Sequence, residues 1–82
     1  MKEKNELRDI LREELKKRLR NVKFRVYQKN FPYVDIKIYK NKKLATTFSI
    51  HIDVLGQMVI DWGAKKTFDY IATEIRWIWK NL

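Results

Sequence analysis

The sequence of 82 residues contains no cysteine, one histidine, one proline and two glycines. Without cysteine the chain can form neither a disulfide nor a thiolate metal site, and one histidine does not suffice for a structural zinc site, so we expect no metal and no cofactor. Two isolated glycines also provide no glycine-rich phosphate loop. No apolar run approaches the roughly 20 residues of a membrane span, and the charged segment 1–20 lacks the apolar core of a signal peptide, which predicts a cytoplasmic location.

The composition favours one small globular domain that spans residues 1–82. Hydrophobic residues make up 45% and aromatic residues 13% of the chain, which is enough for a core and argues against a disordered basic tail. A cysteine-free chain with many Lys, Glu and Ile residues is also typical of a thermophile or of its virus.

Acidic side chains are scarce where basic ones cluster. The formal net charge is +9, and residues 21–44 hold seven basic groups against the single acid Asp35. Residues 45–82 contain four groups of each sign and are neutral. Because repulsion within a basic segment destabilises the fold, a polyanionic partner is the natural hypothesis.

Two segments have the periodicity of a helix. In residues 5–21 four leucines recur every four residues, which predicts a helix lying obliquely across a sheet. In residues 64–81 a second apolar stripe starts at Phe68 and predicts another helix. The first stripe comprises Leu7, Leu11, Leu15 and Leu19, and the second adds Ile71, Ala72, Ile75, Ile78, Trp79 and Leu82.

Between these helices apolar and polar residues alternate, which predicts four strands. The predicted strands span residues 22–28, 33–40, 43–54 and 57–62. We therefore expect an α+β fold of the order α-β-β-β-β-α, in which a four-stranded antiparallel meander carries both helices on one face.

Paired residues of a hairpin must face the same side of the sheet, so we expect each loop to have an odd length. This rule predicts a three-residue turn 55–57 around Gly56 and excludes a simple Asn41-Lys42 turn. The same parity places two further pairs opposite each other: Tyr27 with Tyr33, and His51 with Asp61.

The sheet face turned away from the helices is predicted to be open and basic. Basic residues interleaved with tyrosines are typical of a surface that binds phosphates and stacks bases, although an ordinary solvated face has similar residue types. We therefore predict a largely non-sequence-specific DNA- or RNA-binding protein without enzymatic activity. The candidate contact residues on strands and turns are Lys23, Arg25, Tyr27, Lys29, Tyr33, Lys37, Tyr39, Lys40, Lys42 and Lys43.

Lys65 and Lys66 open the last predicted helix and extend this set, since lysines at a helix N-terminus can bind an anion. The order of a strand, two lysines and a helix over residues 58–76 resembles double-stranded RNA-binding domains. In that family, basic residues at the start of the second helix bind phosphates across a groove. The small residues that follow in the family are replaced here by Phe68-Asp69-Tyr70-Ile71, and the predicted sheet has an extra strand.

An alternative function is a protein-interaction module. Tyr70 and Trp77 lie opposite the apolar stripe of the last helix, where large aromatic residues indicate a partner unless the first helix covers them. The partner would be a second copy of the chain in a homodimer, or the target of a viral or plasmid-borne inhibitor, or the rest of a larger assembly. The segment 75–82 also has the composition of a membrane-interface helix.

A second alternative is a small toxin-like ribonuclease. His51 opposite Asp61, with Ser49 on the same face, would form a histidine–carboxylate pair able to act as a general base.

Overall fold

Residues 2–82 fold into one helix, three antiparallel strands and two further helices. The computed structural model describes the backbone of residues 2–82 and the side chains of residues 6–82. In chain order the elements are α1 (Lys2–Arg18), β1 (Lys23–Tyr27), β2 (Tyr33–Lys40), β3 (Lys43–His51), α2 (Ile52–Trp62) and α3 (Ala64–Lys80). The strands form one sheet in the order β1-β2-β3. The predicted α+β class and antiparallel sheet are confirmed, whereas the predicted fourth strand is wrong.

Helix α2 includes the segment that was predicted as the fourth strand. The sequence of residues 52–62 fits the two-residue repeat of a strand and also the roughly 3.6-residue repeat of a helix. Apolar residues alternate along it, yet Ile52, Leu55, Val59 and Trp62 also recur at the spacing of one helix face. Leu55 on this helix is only 2% exposed, and it belongs to the same core as the sheet. The pattern alone fits a strand and a helix equally well, and burial of the helix face around Leu55 favours the helix.

Both ends of α2 have local signals that the strand prediction ignored. The imidazole Nδ1 of His51 accepts the backbone N–H of Asp53 at 3.1 Å, which caps the helix N-terminus. Gly63 has a φ of 88°, a conformation in which a side chain is strained, and its N–H donates to the carbonyl of Val59 at 2.8 Å. Gly56 lies inside α2 instead of the predicted turn.

The β2–β3 hairpin contains the two-residue turn that the parity rule excludes. Asn41 and Lys42 have φ values of 56° and 66°, as a type I′ turn requires. The register shifts between Ile38 and Tyr39, and Ala45 has no partner on β2. This bulge supplies the odd residue, so the residues from Thr46 to Ile50 keep the register that places Phe48 and Ile50 on the apolar side of β2. Leu44, before the bulge, pairs with Tyr39 and lies on the opposite side, where it is 50% exposed.

The first hairpin also differs from its predicted register. Tyr27 pairs with Asp35 and Tyr33 pairs with His51, so the expected Tyr27–Tyr33 pairing is wrong. The reason is the loop of residues 28–32, which folds back so that the Tyr33 amide donates to the Asn30 carbonyl at 2.8 Å. The first residues of β2 therefore extend beyond β1 and pair with β3 alone.

One apolar core joins the sheet to the helices. The buried leucines of α1 contact the sheet residues, and α3 contributes four buried apolar side chains to the same cluster. At roughly 25 cal/mol per Å² of buried apolar area, this cluster is the main source of stability. Its buried members are Leu11, Leu15, Leu19, Val22, Val26, Val34, Ile36, Ile38, Ile50, Leu55, Phe68, Ile71, Ala72 and Ile75.

An ion-pair network ties the end of α1 to the start of α3. Arg18 Nε donates to Asp69 Oδ1 at 2.6 Å, and its Nη1 donates to Glu14 Oε1 at 2.9 Å. Lys65 Nζ contacts the second Asp69 oxygen at 3.0 Å. The hydrogen bond from Arg18, followed by that from Lys65, lowers the pKa of Asp69.

We predict that Asp69→Asn weakens the fold at neutral pH and that this effect fades in acid. A carboxylate with a lowered folded-state pKa stabilises the fold above its unfolded pKa of about 3.9 and loses that effect as the pH falls through the folded value. Urea unfolding should give a lower midpoint for the variant at about pH 7, and the two curves should converge towards about pH 2.

Asp61→Asn is the matched control, because the Asp61 carboxylate accepts a hydrogen bond from Gln57 of the same helix instead of joining two helices. The urea midpoint of Asp61→Asn should differ little from that of the wild type between about pH 2 and about pH 7. Identical midpoints for Asp69→Asn and the wild type at neutral pH would contradict the role given to the network.

Candidate nucleic-acid interface

Alternation along the three strands brings the polar residues to one side of the sheet. Arg25 pairs with Lys37, which in turn pairs with Thr47, so these three side chains form a row across the strands. We define the polar face by the residues Lys23, Arg25, Tyr27, Tyr33, Asp35, Lys37, Tyr39, Thr47, Ser49 and His51. The helices contribute their buried side chains to the opposite, apolar face.

Cations and tyrosine rings contact one another at the centre of the polar face. Lys37 Nζ lies 5.2 Å and Lys29 Nζ 5.4 Å from the centroid of the Tyr27 ring. The Arg25 guanidinium carbon lies 6.0 Å from the ring of Tyr39. The neighbouring Arg25 lowers the pKa of the Tyr27 phenol, and the charge of Lys37 contributes in the same direction. The face therefore has a positive potential that stabilises an anion.

The one acidic residue of the three strands is withdrawn from solvent. Asp35 is only 7% exposed, and its carboxylate accepts hydrogen bonds from Ser49 Oγ at 2.6 Å and Asn30 Nδ2 at 2.8 Å. Asp61, which the sequence placed on this face opposite His51, belongs to α2, as does Asp53. The fold thus leaves fewer acids on the polar face than the sequence predicts.

The basic surface continues into a groove at the hairpin end of the sheet. Lys23, Arg25 and Lys42 line this open groove of about 550 Å³ together with Phe24, Tyr39 and Asn41. Lys43 does not line this groove: it is exposed at the first position of β3 and pairs with Lys40, whose side chain contacts α3. Three cations around one groove provide a place for a phosphate group.

Lys40 has a different environment from its neighbours. Its ammonium donates to the carbonyls of Trp79 at 3.1 Å and Leu82 at 3.3 Å, and it lies 4.6 Å from the Trp79 ring. A cation at this position stabilises the carbonyl end of α3. Lys40 therefore contacts α3, whereas Lys37 contacts a tyrosine ring of the polar face itself.

Lys65 and Lys66 lie on α3 and outside the polar face. Lys65 pairs with Asp69, while Lys66 lines a small groove with Trp62 and Tyr70. The element before them is helix α2, so the expected order of strand, two lysines and helix is absent. This removes the part of the double-stranded RNA-binding resemblance that depended on a preceding strand.

The predicted His51–Asp61 pair is wrong, because Asp61 lies on α2 and not on a strand beside β3. His51 caps α2 through Nδ1 and contacts the Tyr33 ring edge-on, with 5.2 Å between ring centroids. Ser49 donates a hydrogen bond to Asp35, and Asp61 accepts one from Gln57. His51, Ser49 and Asp61 therefore each make a structural contact instead of contacting one another.

The predicted interface residues Tyr70 and Trp77 are both exposed on α3. Trp77 is 64% exposed, and Tyr70 packs edge-on against Trp62 with 5.4 Å between ring centroids. Sequence reasoning missed the exposure of Trp62 and Ile60, which the four-strand prediction assigned to the core. The helical spacing of residues 52–62 could have identified Ile60, which lies off the face of Leu55, but not Trp62, which shares that spacing and is nevertheless 46% exposed.

Comparisons of the chain with protein-family models, with curated proteins and with solved structures gave no match. Within residues 2–82, no helix combines the length and apolarity needed to cross a membrane. Among the side chains that the structure describes, no three or more His, Asp or Glu residues are grouped so as to hold a metal ion.

We predict that His51→Ala lowers the free energy of unfolding by about 1 kcal/mol through loss of the cap. His51→Asn keeps a side-chain acceptor at the cap and should recover much of that loss. Urea unfolding of the two variants and the wild type measures the difference. Equal stability of His51→Ala and the wild type would show that the cap does not contribute.

Proposed function

We propose that the protein binds nucleic acid through its polar face, by contacts to phosphates and without cleaving the strand. The observation that carries the proposal is the separation of charge on this face. Among the side chains of residues 6–82, Lys23, Arg25 and Lys37 of the polar face and Lys42 of the adjoining groove take part in no ion pair. The carboxylate of Asp35, in contrast, is buried and accepts two hydrogen bonds. A cluster of cations on an open surface is the electrostatic footprint of polyanion binding.

The aromatic contacts favour phosphate binding over base stacking. The Tyr27 ring already contacts two lysine ammonium groups, and the Tyr39 ring contacts Arg25. A base that stacked on either ring would have to displace a cation, whereas a phosphate would add to the same cluster. The tyrosines then hold the cations in position, and binding has little sequence specificity because phosphates carry no base information.

A test of the polar face is the double charge reversal Lys37→Glu with Lys42→Glu. Loss of two phosphate contacts should weaken binding at about 0.1 M salt by roughly tenfold or more, and should reduce the slope of log K against log salt by about 1.4–1.8. Fluorescence anisotropy of labelled single- and double-stranded DNA and RNA, at several salt concentrations, measures both quantities and identifies the preferred strand type.

Lys16→Glu with Lys80→Glu is the matched control. It changes the net charge by the same amount, but both residues are exposed on helices and not on the polar face. The control should keep most of the affinity and salt dependence. Equal losses in the two double variants would contradict a localised site, and an absence of binding at low salt would contradict the proposal itself.

His51→Asn separates binding from catalysis. The variant keeps a capping acceptor but has no imidazole, so the fold should persist while any histidine-dependent cleavage is lost. We expect wild type and variant to leave a labelled RNA equally intact over hours. Cleavage by the wild type that disappears in the variant would instead support the ribonuclease alternative.

A protein-interaction module is the second candidate function, favoured by the exposure of Trp77. A tryptophan that is 64% exposed beside Tyr70 is the residue type that dominates interface cores. Trp77→Ala should abolish a protein complex in that case and should leave nucleic-acid affinity unchanged if the polar face is the functional surface.

A further inference from the structure

Strand β3 is an outer strand of the sheet and leaves half of its backbone groups without a strand partner. The sheet order is β1-β2-β3, so β1 and β3 are the two edges. The N–H and C=O groups on the outer side of an edge strand can pair with another chain, and proteins usually block such an edge with charges.

The two edges differ in this protection. β1 carries Lys23 and Arg25 among its five residues. In β3, residues 44–50 have the sequence Leu-Ala-Thr-Thr-Phe-Ser-Ile and no charged side chain. The bulge at Ala45 disturbs only the first part of this strand, and residues 46–51 continue in regular pairing with β2.

Charge decides which edge a second copy can occupy. Pairing of β1 with β1 would bring Lys23 and Arg25 of both copies to about 4.5–5.5 Å between paired residues, where like charges repel. In a β3–β3 pair the nearest basic row of the polar face is Lys37 on β2. The two β2 strands that carry Lys37 are then three strand spacings of about 4.8 Å apart, which is about 14 Å. This distance exceeds the Debye length of about 8 Å in physiological salt.

The surface beside this edge is mostly apolar and carries no lysine or arginine. A groove of about 340 Å³ is lined by Phe48, Ser49, Ile50 and His51 of β3, Val54 and Met58 of α2, and Tyr70 and Ile71 of α3. Val54 and Tyr70 are exposed, and no basic residue occurs between His51 and Gly63. A second copy with its net charge of +9 would therefore make contact where the chain is least basic.

We propose that two copies of the chain associate through antiparallel pairing of β3 with β3, which forms one continuous six-stranded sheet. Paired residues must face the same side, so the twofold axis passes through a residue and not between two. An axis at Phe48 pairs residues 46–50 beyond the bulge and places the two Phe48 rings side by side next to the apolar grooves. The polar faces of both copies then lie on the same side of the sheet.

The first test is the oligomeric state of the free protein, by sedimentation equilibrium over a range of concentrations without nucleic acid. We expect a dimer of the wild type and a shift to monomer in Thr47→Lys, because a lysine at the centre of an edge blocks pairing. Thr73→Lys is the matched control on the outer face of α3 between Tyr70 and Trp77, and it should leave the dimer intact. Circular dichroism verifies that both variants are folded.

Single cysteines test the register without adding charge, since the natural chain has none. Across an antiparallel twofold, only the residue on the axis lies about 4.5–5.5 Å in Cα distance from its own copy, within reach of a disulfide. Phe48→Cys should form a disulfide-linked dimer under mild oxidation, whereas Thr46→Cys should not.

Three results would overturn the proposal. These are a wild type that is monomeric at every concentration, a dimer that Thr73→Lys breaks and Thr47→Lys does not, and disulfide formation that is equally fast at positions 46 and 48. The proposed function is tested separately, because a monomer that binds nucleic acid would contradict the dimer alone.

Discussion

The strict alternation of side chains along the central strand β2 is the constraint on which the rest of the structure depends. Val34, Ile36 and Ile38 are fully buried against the helices, and the residues between them are therefore turned to the opposite side of the sheet. Because β2 pairs with both neighbours, its register also fixes which residues of β1 and β3 join the polar face. A shift of one residue would bury Lys37 and expose the core, at a cost the small domain could not offset.

The same alternation explains how far the sequence predicts the fold. Where β-branched core residues alternate with charged ones, as in β1 and β2, only a strand fits, and the predicted residues of the polar face lie together. Residues 52–62 fit a strand and a helix equally, and the deciding contacts are the burial of Leu55 and the cap from His51. Histidine is not among the residue types that usually signal a cap, and a bulge such as Ala45 has no recognisable sequence pattern.

Residue counts could locate the positive charge but could not show which cations are free to bind. Lys40 follows the basic strand residues in sequence, yet its ammonium binds carbonyls at the distant C-terminal end of α3. Asp35 counts as a negative charge in the sequence, yet its carboxylate is buried and accepts hydrogen bonds from Ser49 and Asn30. Long flexible side chains select their partners only after the backbone has placed them, so this distinction requires the tertiary structure.

The charge of the polar face and the proposed pairing of β3 influence each other. Two copies of a chain with a net charge of +9 repel each other, and the β3 edge reduces this repulsion by separating the basic rows. A polyanion bound across both polar faces would neutralise the remaining repulsion and would favour the dimer. By thermodynamic linkage the dimer must then favour the polyanion by the same factor. An uncharged edge beside a basic face would therefore couple the proposed assembly to the proposed nucleic-acid binding without any change in the fold.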